Sequence, residues 1–184
     1  MKKKYKILYT VLSITIFSII LSLYYYYTVF FKTHLVDINN CISTSNNIYK
    51  DPPSELFDIA IIAEGYRGIR HFVVKTLLYK YEMCNQGMLK WHLHNFCWDL
   101  LIKIHFSSNE VFLLWCYFVP YSEGVGLNNA ANYFFDRDLN QLELKEIVTI
   151  IAMVKSPSIY KMNTEKLHKR VDYLLGEYNK ITTK

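Results

Sequence analysis

The chain has 184 residues, 52% hydrophobic and 20% charged, with a formal net charge of +5. That length sets one folded domain as the default and suffices for a sizeable core. Lys2, Lys3, Lys4 and Lys6 carry most of the excess charge; without them 17 basic residues face 16 acidic ones, so no nucleic-acid partner is indicated, because that wants a basic face on the folded domain.

Residues 1–6 read as a basic cytoplasmic tail and residues 7–31 as a transmembrane helix. No charge interrupts Ile7 to Leu23, and "YYYYTVFF" extends the run to Phe31. About 20 such residues cross a hydrocarbon core of about 30 Å. The lysines keep the N-terminus in the cytoplasm, which puts the rest outside, and Tyr24 to Tyr27 suit the outer interface. A cleaved signal peptide is the competing reading, but its apolar core is about 7–15 residues and ends in small residues. This run is longer and ends in bulky rings, which favours an uncleaved anchor. Residues 32–53 read as a juxtamembrane connector, polar in "NNCISTSNN" and stopped by "DPP".

The folded part, residues 54–184, reads as mainly α. "SELFDIAIIAE" has Ser54 placed as an N-cap and Phe57, Ile61 and Ile62 at helical spacing. Residues 70–83 give a second helix, and residues 87–105 a third that carries Trp91, Trp98 and Leu101. "SSNEVFLLWCYF" gives a fourth, capped by Ser107 or Ser108 with Glu110 in its first turn, and apolar enough all round to be buried. "PYSEGVG" is a loop and "NNAANYFF" a short helix. Residues 142–155 are amphipathic, with Leu144, Ile147, Ile151 and Val154 expected on the buried face. "SPSIY" breaks that helix, and a last one follows Asn163 as N-cap. No strand pairs emerge.

Among residues that bear chemistry, Glu64 ends an apolar lead-in and is followed by Arg67, Arg70 and His71. It is either a general base in an apolar setting or one half of a surface ion pair with Arg67 or Arg70. Cys84, His92, His94 and Cys97 match no standard zinc spacing, and His92 and His94 face different ways on a helix, so no metal site is assigned. Cys41, Cys84, Cys97 and Cys116 allow three disulfide pairings outside the cytoplasm, with buried free thiols at least as well supported. The three tryptophans read as core rather than as ligand platforms.

The C-terminal half resembles glycosyltransferase family 51, the peptidoglycan glycosyltransferases found alone or at the front of penicillin-binding proteins. The resemblance rests on "GVGLNNAANYFF" and "LELKEIVTIIAMVKSPSIY": Ala130–Ala131, Phe134–Phe135, Leu142, Leu144, Glu146, Pro157, Ser158 and Tyr160. "SSNEVFLLWCYF" is similar to a further helix of that family, and the likeness covers roughly residues 54–176. Glu64 and His71 keep the seven-residue spacing of the family's first motif, with Gly65 at its aspartate position and Gly68 at its phenylalanine position. The second motif has no match beyond Gln86 and Lys90. The third aligns its basic pair with Trp91 and His92 and its glutamate with Asn95, and Tyr117 replaces the asparagine of the helix that follows.

The resemblance implies a lysozyme-like helical glycosyltransferase lobe on one transmembrane helix, acting on lipid-linked disaccharide precursor at the outer face of the cytoplasmic membrane. It implies Glu64 as catalytic base and His71, Lys90 and Asn95 as substrate-binding residues, with other cell-wall enzymes as potential partners. A divalent metal is compatible with the family. The altered motifs lead us to expect weak or absent turnover. They keep a second class open, a catalytically degenerate membrane-anchored module that binds an envelope lipid or regulates a cell-wall enzyme.

Overall fold

The computed structural model describes residues 2–48, 54–85, 87–156, 158–160, 162 and 164–182. The stop signal at 51–53, Gln86, Pro157 and the expected N-cap Asn163 lie outside these residues. The chain divides into two units, residues 1–39 and 40–184.

The first unit is helical. Helix α1 spans Lys2–Tyr26, a π-helical turn Tyr27–Phe31, and a 3-10 turn Lys32–His34. Among the described residues this is the one helix long and apolar enough to cross a membrane, and its large apolar side chains from Ile7 to Tyr25 are exposed. Helix α2, Leu35–Ile48, runs from it into the second unit. Asn and Ser favour loop here only by weak propensity, and the segment is helical instead. Within the second unit Ser45 is fully buried, its hydroxyl donates to the Leu113 carbonyl at 2.8 Å, and Cys41 is buried. Tertiary packing overrides the local preference, and the second unit starts at Asn40.

The second unit is mainly α. Helix α3, Ser54–Lys80, packs against α4 (Met88–His105), α5 (Ser108–Phe118), α7 (Leu144–Val154) and α8 (Glu165–Thr182). Its first part buries Leu56, Ile59, Ala60 and Ala63, an i, i+3, i+4, i+7 stripe. Phe57, Ile61 and Ile62, noted for their helical spacing, are half-buried, and Phe57 meets Phe112 edge-on with ring centroids 4.9 Å apart.

Helix α5 starts as expected: Ser107 accepts from the Glu110 amide and Glu110 caps Ser107 in return. It buries Val111, Phe112, Leu114, Trp115 and Cys116. The glycine loop that follows folds into a two-strand antiparallel hairpin, β1 Pro120–Tyr121 and β2 Gly124–Val125, that periodicity does not reveal. Helix α6, Leu127–Phe135, tucks Ala130 and Ala131 inside. Helix α7 buries Ile147, Ile151 and Val154 and also Val148, Ile150, Ala152 and Met153, while Leu144 is half-buried. Glu146 caps the Glu143 amide and pairs with Arg137, so this family-motif glutamate supports structure. Helix α8 is capped by Thr164, whose hydroxyl accepts from the Leu167 amide at 3.3 Å. None of the four cysteines is disulfide-bonded to another, and Cys41, Cys97 and Cys116 are buried.

Helix α3 is interrupted at Gly65, which has φ 70° and ψ 148°. Only glycine enters that region without strain. Glu64 therefore ends one helical segment and Tyr66 opens the next. Gly68 lies inside that second segment, where a Cβ would make an ordinary contact 3.8 Å from the Glu64 Cβ. Gly65→Ala is expected to destabilise the fold by about 1–3 kcal/mol. Gly68→Ala is expected to be neutral or stabilising by up to about 1 kcal/mol. Chemical denaturation of the two variants distinguishes these outcomes.

Candidate active site

The break at Gly65 exposes carbonyls that would otherwise bond along the helix. The Ala63 carbonyl is satisfied from far along the chain: Lys155 Nζ donates to it at 3.2 Å and Arg170 Nη2 at 3.1 Å. Two cations thus cap the C-terminal end of the first α3 segment, the end of the helix dipole that favours positive charge. The Lys155 ammonium also stands 3.3 Å from Glu64 Oε1. That is ion-pair distance without hydrogen-bond alignment, since Oε1 is shut off from solvent and accepts no hydrogen bond. The Glu64 side chain is 25% exposed, and no partner holds its second oxygen among the described residues. Arg170 Nε is likewise buried with no hydrogen-bond partner. An acceptor on Glu64 and a donor on Arg170 are both left unsatisfied in side chains that converge on Ala63 and Lys155.

The local ion pairs that the spacing offered as the alternative for Glu64 do not form, and its ion-pair neighbour is Lys155. Arg70 instead makes a bidentate pair with Asp99 on α4, at 2.9 and 3.1 Å. That partner holds its pKa above the ordinary guanidinium value. Arg67 turns to a cleft between α3 and α4.

The cleft has a volume of about 390 Å³. Arg67, His71 and Lys75 line one wall at i, i+4 and i+8; Trp91, His92, Asn95, Phe96 and Asp99 line the other. Partial burial lowers the His71 pKa below the usual 6.5, and Lys75 lowers it further. At neutral pH the imidazole is therefore mostly uncharged and can donate or accept. Asp99, the cleft's one carboxylate, is committed to Arg70, so Arg67 and Lys75 leave the walls net positive. Such walls suit a phosphate or diphosphate ester. A divalent metal does not fit here: hard cations want several free oxygen donors, and this cleft offers ammonium and guanidinium groups instead.

Of the residues assigned from sequence, His71 and Asn95 both line the cleft, one from α3 and one from α4. Lys90 is exposed and outside its lining, and Glu64 lies at the helix break rather than on these walls. Trp98 and Trp115 are core, whereas Trp91 lines the cleft. Sequence reasoning missed Lys155, Arg170, Arg67, Lys75 and Asp99. A glycine directly after Glu64 could have signalled a helix end in need of cations. Nothing local says which cations, because Lys155 and Arg170 lie 92 and 107 positions from Ala63.

A family model described as Transglycosylase matches residues 64–179, beginning at Glu64 and including α4 through most of α8. No curated protein matches the chain. With a family match over more than half of its length, and the fold mainly helical as that resemblance implied, the chain belongs to the transglycosylase family, the glycosyltransferase family 51 of peptidoglycan synthesis.

Proposed function

We propose that the domain binds lipid-linked disaccharide precursor of peptidoglycan and transfers its glycan slowly, with Glu64 as general base. The observation that carries this reading is the placement of Glu64 at the Gly65 break, with one oxygen held in a dry, cation-lined position and the other unpartnered. In the transfer, an acceptor sugar hydroxyl gives its proton to Glu64 and its oxygen attacks the anomeric carbon of the donor. The bond from that carbon to the diphosphate breaks, and the lipid diphosphate leaves. Arg67 and Lys75 supply fixed positive charge for that leaving group, which the uncharged Asn95 does not. Lys155 and Arg170 are positioning residues: they fix the helix end from which Glu64 projects.

A second reading is favoured by Asn95, which puts an uncharged amide in the cleft at the family's glutamate position. In it the domain binds precursor, or a partner cell-wall enzyme, without turnover. Polymerisation of labelled precursor by purified full-length protein decides between them. Slow polymer formation, raised about tenfold or more by Asn95→Glu, supports the enzyme. Precursor binding without polymer, unchanged by Asn95→Glu, supports the binding module.

The anchor reading places the N-terminus in the cytoplasm and the domain outside. A periplasm-active reporter fused after Lys184 is expected to be active. Activity only from a cytoplasmic reporter at that position would overturn the topology.

A further inference from the structure

A second cavity, of about 320 Å³, lies between the end of α6 and the first halves of α7 and α8, and it shares no residue with the cleft. That volume falls at the lower end of the range for small-ligand sites. Its floor is apolar: Phe135 from α6, and Leu167 and Val171 from α8, the last two buried. Polar groups stand around that floor. Glu146 is committed to the Glu143 amide and to Arg137. The others keep capacity to spare. The Thr149 hydroxyl donates to the Lys145 carbonyl at 2.7 Å and retains its lone pairs. The Glu143 carboxylate accepts the Glu146 amide and, among the described residues, meets no cation. Among the same residues no acid pairs with the Lys145 ammonium, and no partner holds the His168 imidazole.

Two features separate this site from an ordinary solvated surface. Glu143 and Lys145 are two positions apart at the start of a helix, so they face different ways and do not neutralise each other. A lysine in the first turn also opposes the helix dipole, so the stability of α7 does not call for one there. The lining selects a ligand class. Two carboxylates count against a phosphate. A divalent cation is disfavoured because Glu146 is committed and an ammonium stands beside it. An apolar floor below an acid and an ammonium that stay apart suits a small zwitterion with apolar side chains. We propose that this cavity binds a short peptide of small apolar residues, with Lys145 on its terminal carboxylate, Glu143 on its terminal ammonium and the side chains on Leu167 and Val171. The inference rests on the cavity alone, and on neither turnover nor the anchor.

The test is titration of the full chain, with isotope-labelled methyl groups and held in phosphatidylcholine nanodiscs, by trialanine into the millimolar range, followed by methyl NMR. Saturable shifts are expected at Thr149, Leu167 and Val171, with the methyls of Leu89 and Leu93 on α4 unmoved. Trialanine amide, which lacks the carboxylate, should bind about fivefold more weakly, the size of one exposed ion pair. Lys145→Ala should lower affinity for the free acid by the same factor and leave that for the amide unchanged. N-acetyl-trialanine and Glu143→Gln are the matching pair for the ammonium end; glutamine still accepts the Glu146 amide, so α7 keeps its start. Both variants should melt as the parent does, since both side chains are exposed. Equal affinity for acid and amide would overturn the proposal. So would an affinity untouched by Lys145→Ala, shifts confined to α4, or the absence of any saturable shift.

Discussion

Glu64→Gln is expected to lower glycan polymerisation about 10²–10⁴-fold, the usual cost of removing a general base, and to leave precursor binding in place. Glutamine keeps the shape and one acceptor oxygen, so the helix break should persist. The Lys155 and Arg170 hydrogen bonds end on the Ala63 backbone carbonyl, which the substitution does not touch. The melting temperature should therefore stay near that of the parent protein. A loss of activity together with a loss of fold would instead make Glu64 the counter-ion that keeps Lys155 in place. Initial rates read beside thermal melts separate the two.

The second large effect concerns stability. Ile151 is 1% exposed on α7, a helix packed against α3, α6 and α8. Ile151→Ala is expected to destabilise the domain by about 2–5 kcal/mol, from lost transfer energy and the cavity left behind. For a chain of this size that is a fall of roughly 4–20 °C in melting temperature. Lys155 follows the last turn of this helix and reaches Ala63, so loosening α7 should also disturb Glu64. A melting temperature equal to the parent's would remove α7 from the core.

The helices were legible where one periodic signal sufficed. Ser107 with Glu110 marks the start of α5 through a capping pair only three residues apart. Ile147, Ile151 and Val154 mark the inner face of α7, although Val148, Ile150 and Met153 show a helix enclosed on nearly all sides, which a one-face template understates. Helix α2 was not legible. Its polar residues have weak helical preference, and what holds the domain end of it is burial of Cys41 and a Ser45 hydrogen bond to a carbonyl 68 positions away. The hairpin at Pro120–Val125 is too short to produce alternation.

The candidate site divides the same way. Glu64 and His71 could be found because their spacing is local. The partners that give Glu64 its setting could not, since they depend on how α7 and α8 return to α3. The alternative of pairing with Arg67 or Arg70 fails for a physical reason. Gly65 breaks the helix between the acid and Arg67, its i, i+3 neighbour, and Arg70, six positions on, is committed to Asp99. Lys90 looked like a substrate ligand because it lies close in sequence to Asn95, but it projects to the far side of α4 from the cleft wall.

The most direct measurement is saturable binding of labelled lipid-linked disaccharide to the full chain in nanodiscs, followed in the same sample by assay for polymer. The expected result is binding competed by unlabelled precursor but not by lipid lacking the diphosphate-linked sugar. It should be weakened by Arg67→Ala, with a slow yield of polymer that Glu64→Gln removes. Absence of saturable binding in a folded, inserted protein would contradict the proposed function, and robust polymerisation undiminished in Glu64→Gln would contradict the site.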